Sequence, residues 1–156
     1  MAHSYSHLFD LPITMFRFFT VYGPWGRPDM ALFEFTRAII NGDPINVYNH
    51  GNMSRDFTYI DDLIDGMKLL IDTVPEIIDD ASTSFDSMQG GGSKVAPFRV
   101  VNIGNSKPEK LTDFIEAIEK SIGKKSVQNL MPMQAGDVPE TWADTSFLEN
   151  LTGYKP

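Results

Sequence analysis

The sequence predicts a single α/β domain with mixed strand connections, and three observations lead to this class. At 156 residues the chain has the length of one domain and can bury roughly two thirds of its unfolded surface. An apolar fraction of 42% with 22% charged residues is typical of a globular protein. Helical and strand-like apolar patterns alternate, with no internal repeat and no linker before a second core. We therefore expect one domain over residues 1–156.

The first part of the chain predicts two helices and several short strands. Residues 2–9 favour the last turns of a helix, and the dense apolar run ITMFRFFT at 13–20 favours a strand buried on both faces. The segment VYGPWGRPD contains two glycines and two prolines, which indicates a loop. A helix is expected over 30–40, followed by strands at 44–48 and 55–58 that could pair as a hairpin across the turn NHGN.

The second part continues the same alternation. Apolar residues at helical spacing predict an amphipathic helix over 59–73, and the polar, glycine-rich segment 79–94 predicts a flexible surface loop. A strand is expected at 99–103, a helix at 111–122 with Gly123 as its C-terminal stop, and another strand at 127–131. A short helix at 144–151 completes the prediction.

Composition excludes several classes of function. A formal charge of −8 would repel nucleic acid and anionic lipid, so an anionic small ligand would need a local basic pocket. The absence of cysteine excludes disulfides and thiolate chemistry. No apolar run approaches the roughly 20 residues of a membrane span, and the N-terminal residues do not have the pattern of a signal peptide. We therefore expect a cytoplasmic protein without nucleic-acid or membrane partners.

Three chemical motifs have simpler explanations. His3 and His7 have the i, i+4 spacing of helical zinc ligands, but the glutamate and third ligand of such a site are missing, so no metal is expected. Asp61 and Asp62 fit the positive end of the helix at 59–73 better than an acid/base pair. The run GGGSK does not have the spacing of a phosphate-binding loop.

Two segments point to a ligand. In TVYGPWGRPDMA a strand ends in a loop that displays Thr20, Tyr22, Trp25 and Arg27, which is where open α/β sheets bind ligands. In INVYNHGNMSRDFTYIDD, Tyr48 and Arg55 flank a tight turn, so that a base could stack on the ring while a phosphate pairs with the guanidinium.

These segments resemble signature segments of the UDP-glucuronate 4-epimerases, which belong to the extended short-chain dehydrogenase/reductases. The resemblance runs through nearly the whole chain in the family's order: RFFTVYGPWGRPDMALFEFTRAI at 17–39, PINVYNHGNMSRDFTYIDD at 44–62, VVNIGNSKP at 100–108 and GDVPETWADTS at 136–146. It implies the C-terminal portion of an extended short-chain dehydrogenase/reductase fold, with a few strands of the parent sheet and a small mixed α/β substrate-binding subdomain.

The resemblance also assigns site residues by position. Thr20 and Arg27 would face the sugar and its carboxylate, and Tyr48, with the backbone around Asn46, would border the uracil. Arg55 would pair with the diphosphate, and Asp137 would take the ribose hydroxyls. Tyr22 and Pro24 would line the approach to the nicotinamide of NAD.

The catalytic machinery of such enzymes is not found in this sequence. They hold NAD in a glycine-rich Rossmann unit and abstract a proton with the tyrosine of a Tyr-x-x-x-Lys pair. No G-x-x-G-x-x-G occurs here, and Tyr5 is followed four residues later by Phe9. We therefore expect no catalytic residue, no NAD bound to this chain alone, and an N-terminal Rossmann unit that is absent.

The leading hypothesis is thus the C-terminal, UDP-sugar-binding part of an NAD-dependent nucleotide-sugar 4-epimerase. Its expected partners are a UDP-sugar and the missing Rossmann part of the parent chain. Because strands 13–20 and 99–103 would lie at the edge of the parent sheet, exposed apolar surface could also cause self-association. The alternative is a stand-alone UDP-binding or interaction module without catalysis.

Overall fold

The computed structural model describes residues 1–78 and 91–156, which form five helices and eight strands. The helices are α1 (Ala2–Phe9), α2 (Ala31–Asn41), α3 (Ile60–Asp72), α4 (Leu111–Ile122) and α5 (Ser146–Thr152). The strands are β1 (Ile13–Phe18), β2 (Thr20–Tyr22), β3 (Pro44–Val47), β4 (Ser54–Tyr59), β5 (Phe98–Ile103), β6 (Pro108–Lys110), β7 (Val127–Leu130) and β8 (Glu140–Thr141).

The chain folds into two compact units, each built from separate stretches of sequence. Unit 1 comprises Met1–Phe18, Asp61–Ser106 and Ala143–Pro156, and unit 2 comprises Phe19–Ile60 and Lys107–Trp142. The expectation of one domain over 1–156 stays a prediction. Of the expected loop at 79–94, residues 79–90 lie outside the described residues, while Ser93 is buried.

Unit 1 is organised around a parallel pair of strands. β1 and β5 pair in register from Ile13 opposite Phe98 to Phe18 opposite Ile103. The buried residues of α3 (Leu63, Gly66 and Leu70) recur at i, i+3 and i+7, the spacing of one helical face. The other fully buried apolar side chains of this unit include Val101 and Ile103 on β5 and Leu148 on α5.

A buried arginine caps one helix of unit 1. Arg99 on β5 donates from Nε to the hydroxyl of Thr14 at 3.0 Å and from its guanidinium to the carbonyls of Leu70, at 3.2 Å, and Thr73. These carbonyls belong to the C-terminal end of α3, where helix carbonyls lack intrahelical partners and a cation is favoured. Burial lowers the pKa of Arg99 because desolvation disfavours the charged form.

Unit 2 combines two small sheets with helices α2 and α4. β4 pairs with β2 in parallel, with β6 in antiparallel and with β8 in parallel orientation, while β3 and β7 form a separate parallel pair. One apolar cluster joins α2, β3 and α4, and its buried members are Phe35, Ile39, Ile45, Val47, Ile115 and Ile118. The apolar spacing that predicted both helices therefore marks the face each of them buries.

Glu119 fixes the end of α4 to the segment before β7. Its carboxylate accepts hydrogen bonds from Lys125 Nζ at 2.7 Å, from the Ser126 backbone N–H at 2.8 Å and from the Ser126 hydroxyl at 2.6 Å. These bonds, that from Lys125 foremost, hold the pKa of Glu119 at about 2, because each favours the charged form.

Two expectations about strands are wrong. The segments at 44–48 and 55–58 do not form a hairpin, because β3 pairs with β7 and β4 pairs with β2, β6 and β8. The run at 13–20 is two strands separated at Phe19, and β1 is not buried on both faces. Met15 and Phe18 remain 43% and 47% exposed, since β5 is the one strand that pairs with β1 among the described residues.

Candidate functional site

Arg55 and Asp137 form the centre of the candidate site. Arg55 is the second residue of β4, and the pairing of β4 with β8 brings the residues that precede β8 alongside it. The guanidinium NH2 lies 2.9 Å from Asp137 Oδ1, and NH1 donates to the carbonyls of Ser54 at 2.9 Å and Pro139 at 3.3 Å. The side chains are 22% and 32% exposed, so this cation and carboxylate are accessible but held in place.

Tyr48 follows β3 and begins a turn with an uncommon backbone. Asn49 and His50 have φ of 49° and 50°, and Gly51 has φ of 84°, so three consecutive residues are left-handed. Asn49 supports the turn by donating its side-chain amide to the Asn52 carbonyl at 2.7 Å. Asparagine tolerates this conformation and glycine pays no steric penalty, whereas histidine is strained. The turn therefore sets the direction of the backbone after Tyr48.

Asn46 and Tyr48 line one cavity of unit 2. The cavity has a volume of about 390 Å³ and also borders α2 at Glu34 and Arg37. Asn46 lies opposite Asn129 in the β3–β7 pair and accepts a hydrogen bond from its side-chain amide at 3.0 Å. A concave surface that combines an aromatic ring, amide groups and charged side chains can accommodate a planar polar ring.

The loop after β2 displays Arg27 and a fully exposed tryptophan. Gly23, with φ of 141°, starts the loop, and a Cβ there would lie 2.5 Å from the Ile60 side chain, so a larger residue does not fit. Trp25 is left-handed at φ 64° and fully exposed. Arg27 makes two hydrogen bonds to Asp29, at 3.0 and 2.7 Å, which raise the pKa of Arg27 and lower that of Asp29. Arg27 thus already binds a carboxylate, that of its neighbour.

Tyr22 belongs to an aromatic cluster. Its ring meets Phe57 edge-on at 6.4 Å and Tyr59 at 5.5 Å, and Phe57 stacks on Phe114 at 4.3 Å. Tyr22, Phe57 and Phe114 line a mainly apolar cavity of about 480 Å³. Thr20 is held beside this cluster because it pairs with Phe57 in the parallel β2–β4 register. Pro24 is exposed in the loop that follows.

The structure therefore brings together some of the predicted site residues. Arg55 and Asp137 are in direct contact, and Asn46 and Tyr48 share a cavity. Within 1–78 and 91–156, Arg27 forms no hydrogen bond or ion pair with another predicted site residue. Sequence reasoning missed Asp29 and Asn129, which occupy the polar groups of Arg27 and Asn46. The contact with Asp29 could have been predicted, because Asp29 carries the opposite charge two residues from Arg27. The contact between Asn46 and Asn129 could not, because the two residues are far apart in the sequence.

In the described part of the chain, no group of three or more His, Asp and Glu side chains is placed around one point. His3 Nε2 lies 2.8 Å from the Ser93 hydroxyl, and His7 Nδ1 lies 2.5 Å from the Val95 carbonyl oxygen. Both imidazoles are exposed, and each contacts a residue of the segment that leads into β5.

The arrangement of Arg55 and Asp137 is suited to binding an anionic ligand that carries hydroxyl groups. Arg55 offers a planar, permanently charged donor, which matches phosphate oxygens, and Asp137 offers an acceptor beside it, which matches hydroxyl groups. No Tyr-x-x-x-Lys pair and no glycine-rich G-x-x-G-x-x-G stands in the 156 residues.

Comparisons with known proteins agree on one family. The NAD dependent epimerase/dehydratase family matches residues 1–80. The chain is 53% identical over 156 residues to a probable UDP-glucuronate 4-epimerase of Rhizobium meliloti (strain 1021), covering all of this chain and 45% of that protein. It is 43% identical over 162 residues to UDP-glucuronate 4-epimerase 4 of Arabidopsis thaliana, covering 35% of that protein. The chain thus spans about half the length, or less, of the curated relatives it matches.

Solved structures extend the likeness to the fold. The crystal structure of UDP-glucuronic acid 4-epimerase from Bacillus cereus with UDP-glucuronic acid and NAD superposes with a TM-score of 0.77 at 32% identity, over 99% of this chain and 43% of that one. A UDP-glucose 4-epimerase from Thermotoga maritima shares the fold at 20% identity and a TM-score of 0.76, covering 99% of this chain and 44% of that chain. The predicted fold class, part of an extended short-chain dehydrogenase/reductase, is confirmed. In the described part of the chain, no helix has the length and apolar character that a bilayer crossing requires.

Proposed function

The chain belongs to the NAD dependent epimerase/dehydratase family, and on that premise we propose that it is the UDP-sugar-binding part of a nucleotide-sugar 4-epimerase. The observation that carries the proposal is the pairing of Arg55 with Asp137. It supplies a cation for the diphosphate and an acceptor for the ribose, in a chain whose net charge of −8 makes a local cation necessary for any anionic ligand.

The remaining expected contacts extend from this centre. Asn46 and Tyr48 line a cavity in the same unit and would border the uracil. Thr20 and Arg27 would contact the sugar, with Arg27 meeting the carboxylate of a uronic acid. Relatives whose names specify UDP-glucuronate and a solved epimerase bound to UDP-glucuronic acid support a UDP-uronic acid as ligand.

Catalysis in this proposal requires residues beyond these 156. In the 4-epimerases that this sequence resembles, NAD held by the Rossmann part would supply the hydride acceptor and donor at C4 of the sugar. The sequence offers Tyr22 and Pro24 at the expected edge of the nicotinamide but neither the glycine-rich turn nor the Tyr-x-x-x-Lys pair. In this proposal the chain therefore binds the sugar nucleotide, and a Rossmann part is its partner.

A UDP-binding or interaction module without catalysis is the second candidate. The absence of both catalytic motifs from the sequence favours it. Epimerase activity that appears when the chain is combined with the NAD-binding part of a close relative would decide for the epimerase part. UDP binding that is unaffected by that partner, with no activity in the mixture, would decide for the module.

A titration of the isotopically labelled chain with UDP tests the binding site. We expect saturable backbone amide shifts around Tyr48, Arg55 and Asp137. Removing a charge-assisted hydrogen bond costs about 1.5–3 kcal/mol, so Arg55→Ala should weaken binding roughly 10- to 100-fold. Arg17→Ala is the matched control, because Arg17 is an exposed arginine of unit 1 and its loss changes the net charge equally.

The outcome separates the alternatives. Shifts that persist in Arg17→Ala and disappear in Arg55→Ala at the same UDP concentration support the proposed site. A folded spectrum that shows no shifts at millimolar UDP would reject a nucleotide site formed by this chain.

A further inference from the structure

The guanidinium of Arg55 is fixed from three directions. An arginine has five N–H donors, and three of them are used here, on the Asp137 carboxylate and on the carbonyls of Ser54 and Pro139. Nε and one hydrogen of NH2 have no acceptor among the described residues. The arrangement leaves two donors for a ligand while the orientation of the group is already set.

Asp137 is itself held by its own segment. Its Oδ1 accepts the Val138 backbone N–H at 2.8 Å in addition to the bond from Arg55, and its backbone N–H donates to the Gln134 carbonyl at 3.3 Å. The Ser54 N–H donates to the Pro139 carbonyl at 2.9 Å, which secures this segment against β4. Within residues 1–78 and 91–156, Oδ2 of Asp137 accepts no hydrogen bond, so it stays available to a hydroxyl group.

The value of such a pair lies in orientation more than in stability. A solvent-accessible ion pair contributes about 0–1 kcal/mol to folding. An arginine side chain, by contrast, loses up to about 2 kcal/mol of rotamer entropy when it is fixed. If Asp137 fixes Arg55 before the ligand arrives, most of that entropy has already been lost on folding and does not reduce the binding free energy.

We propose that Asp137 is a positioning residue for Arg55, so that one carboxylate couples recognition of the ribose to recognition of the diphosphate. This inference rests on the proposed nucleotide site. It runs against simple electrostatics, because a carboxylate beside a diphosphate repels it, and removing Asp137 should then tighten UDP binding. Positioning predicts the opposite sign.

The test compares two ligands that differ in the diphosphate. Dissociation constants for uridine and for UDP are measured by NMR titration of the wild-type chain, Asp137→Ala, Arg55→Ala and the double variant. Asp137→Asn keeps an acceptor for Arg55 without the charge. Asp65→Ala removes an exposed ion pair with Lys68 in unit 1 and serves as the control. The backbone amide spectrum of each variant verifies that it is folded.

We expect Asp137→Ala to weaken UDP binding about tenfold more than it weakens uridine binding. Arg55→Ala should then have a smaller effect on UDP in the Asp137→Ala background than in the wild type, because the guanidinium is no longer in place. Asp137→Asn should fall between the wild type and Asp137→Ala, and Asp65→Ala should bind both ligands as the wild type does.

Two results would overturn the inference alone. Equal losses for uridine and UDP, with additive effects of the two substitutions, would make Asp137 a ribose ligand and nothing more. Tighter UDP binding by Asp137→Ala would show that repulsion outweighs positioning. If the wild-type chain bound neither uridine nor UDP, the proposed function and the inference would fall together.

Discussion

The left-handed turn at Asn49–Gly51 makes a prediction about stability that can be worked out residue by residue. His50, at φ 50°, is the member of the turn whose side chain conflicts with its backbone. The left-handed conformation costs a non-glycine residue about 1–2 kcal/mol, and glycine removes that cost. Glycine also raises the conformational entropy of the unfolded chain, which lowers the stability of the fold by about 0.4–1 kcal/mol. We therefore expect His50→Gly to stabilise the fold by about 0.5–1 kcal/mol.

Two further variants identify the source of the effect. His50→Ala removes the imidazole but keeps Cβ, so it should not be more stable than the wild type. Asn52→Gly, at φ −79°, introduces the flexibility of glycine where no strain is relieved, so it should be less stable by about 0.5–1 kcal/mol. Urea unfolding followed by circular dichroism gives the free energies, and melting curves should show the midpoint of His50→Gly about 1–4 °C higher.

The imidazole of His50 is exposed and takes part in no side-chain hydrogen bond to the described residues, so its removal should cost little stability. If His50→Gly proved no more stable than the wild type while Asn52→Gly behaved as expected, the strain would be absent or the imidazole would compensate for it. Equal stabilisation by His50→Ala would also refute the backbone explanation, because that variant relieves no left-handed strain.

Two other predictions concern the core and the acid response of unit 2. Ile39→Ala should cost about 2–5 kcal/mol in unfolding free energy, since Ile39 is 2% exposed, whereas Ile40→Ala, at a position 52% exposed, should change it by less than about 0.5 kcal/mol. Comparable losses in urea unfolding would contradict the assigned helical face. The pKa of Glu119 is about 2 in the fold against an ordinary 4.5, so its contribution is complete above pH 4.5 and is lost as the pH falls towards 2. The unfolding midpoint of Glu119→Gln should therefore lie below that of the wild type at pH 7 and approach it near pH 2; a constant difference would argue against the assignment.

Local patterns in the sequence were sufficient for most individual elements. Helical spacing located α3 and α4, and the glycine after each of α2 and α4 has the left-handed geometry of a helix stop. The loop after β2 follows from its glycines and prolines. These features depend on residues close in the chain, and the physical rules that govern them act over the same short range.

Pairing between distant strands was beyond that range. The turn NHGN suggested a hairpin, but β3 takes β7 as its partner, and the short strands β6 and β8, which are not apparent from apolar alternation, complete the sheet around β4. Burial of β1 was overestimated because an apolar run indicates only that the strand favours a core. It does not indicate how many other strands and helices pack against that strand. The hypothesis that Arg55 and Asp137 serve one ligand came from the family resemblance; their direct contact became visible only in the fold.

The division of each unit among separate stretches of chain has a consequence for biosynthesis. β1 is synthesised before β5, whose Phe98 pairs with Ile13, and unit 1 also needs Leu148 of α5 to fill its interior. Unit 2 has all its strands once Thr141 has been made, before that helix is available. Segments this far apart in sequence lose the conformational entropy of closing a long loop before their contacts can form. This loss slows folding. During translation the apolar β1 therefore remains unpaired until β5 has been made. A nascent chain would depend most on a chaperone during this time, because its apolar strand is exposed.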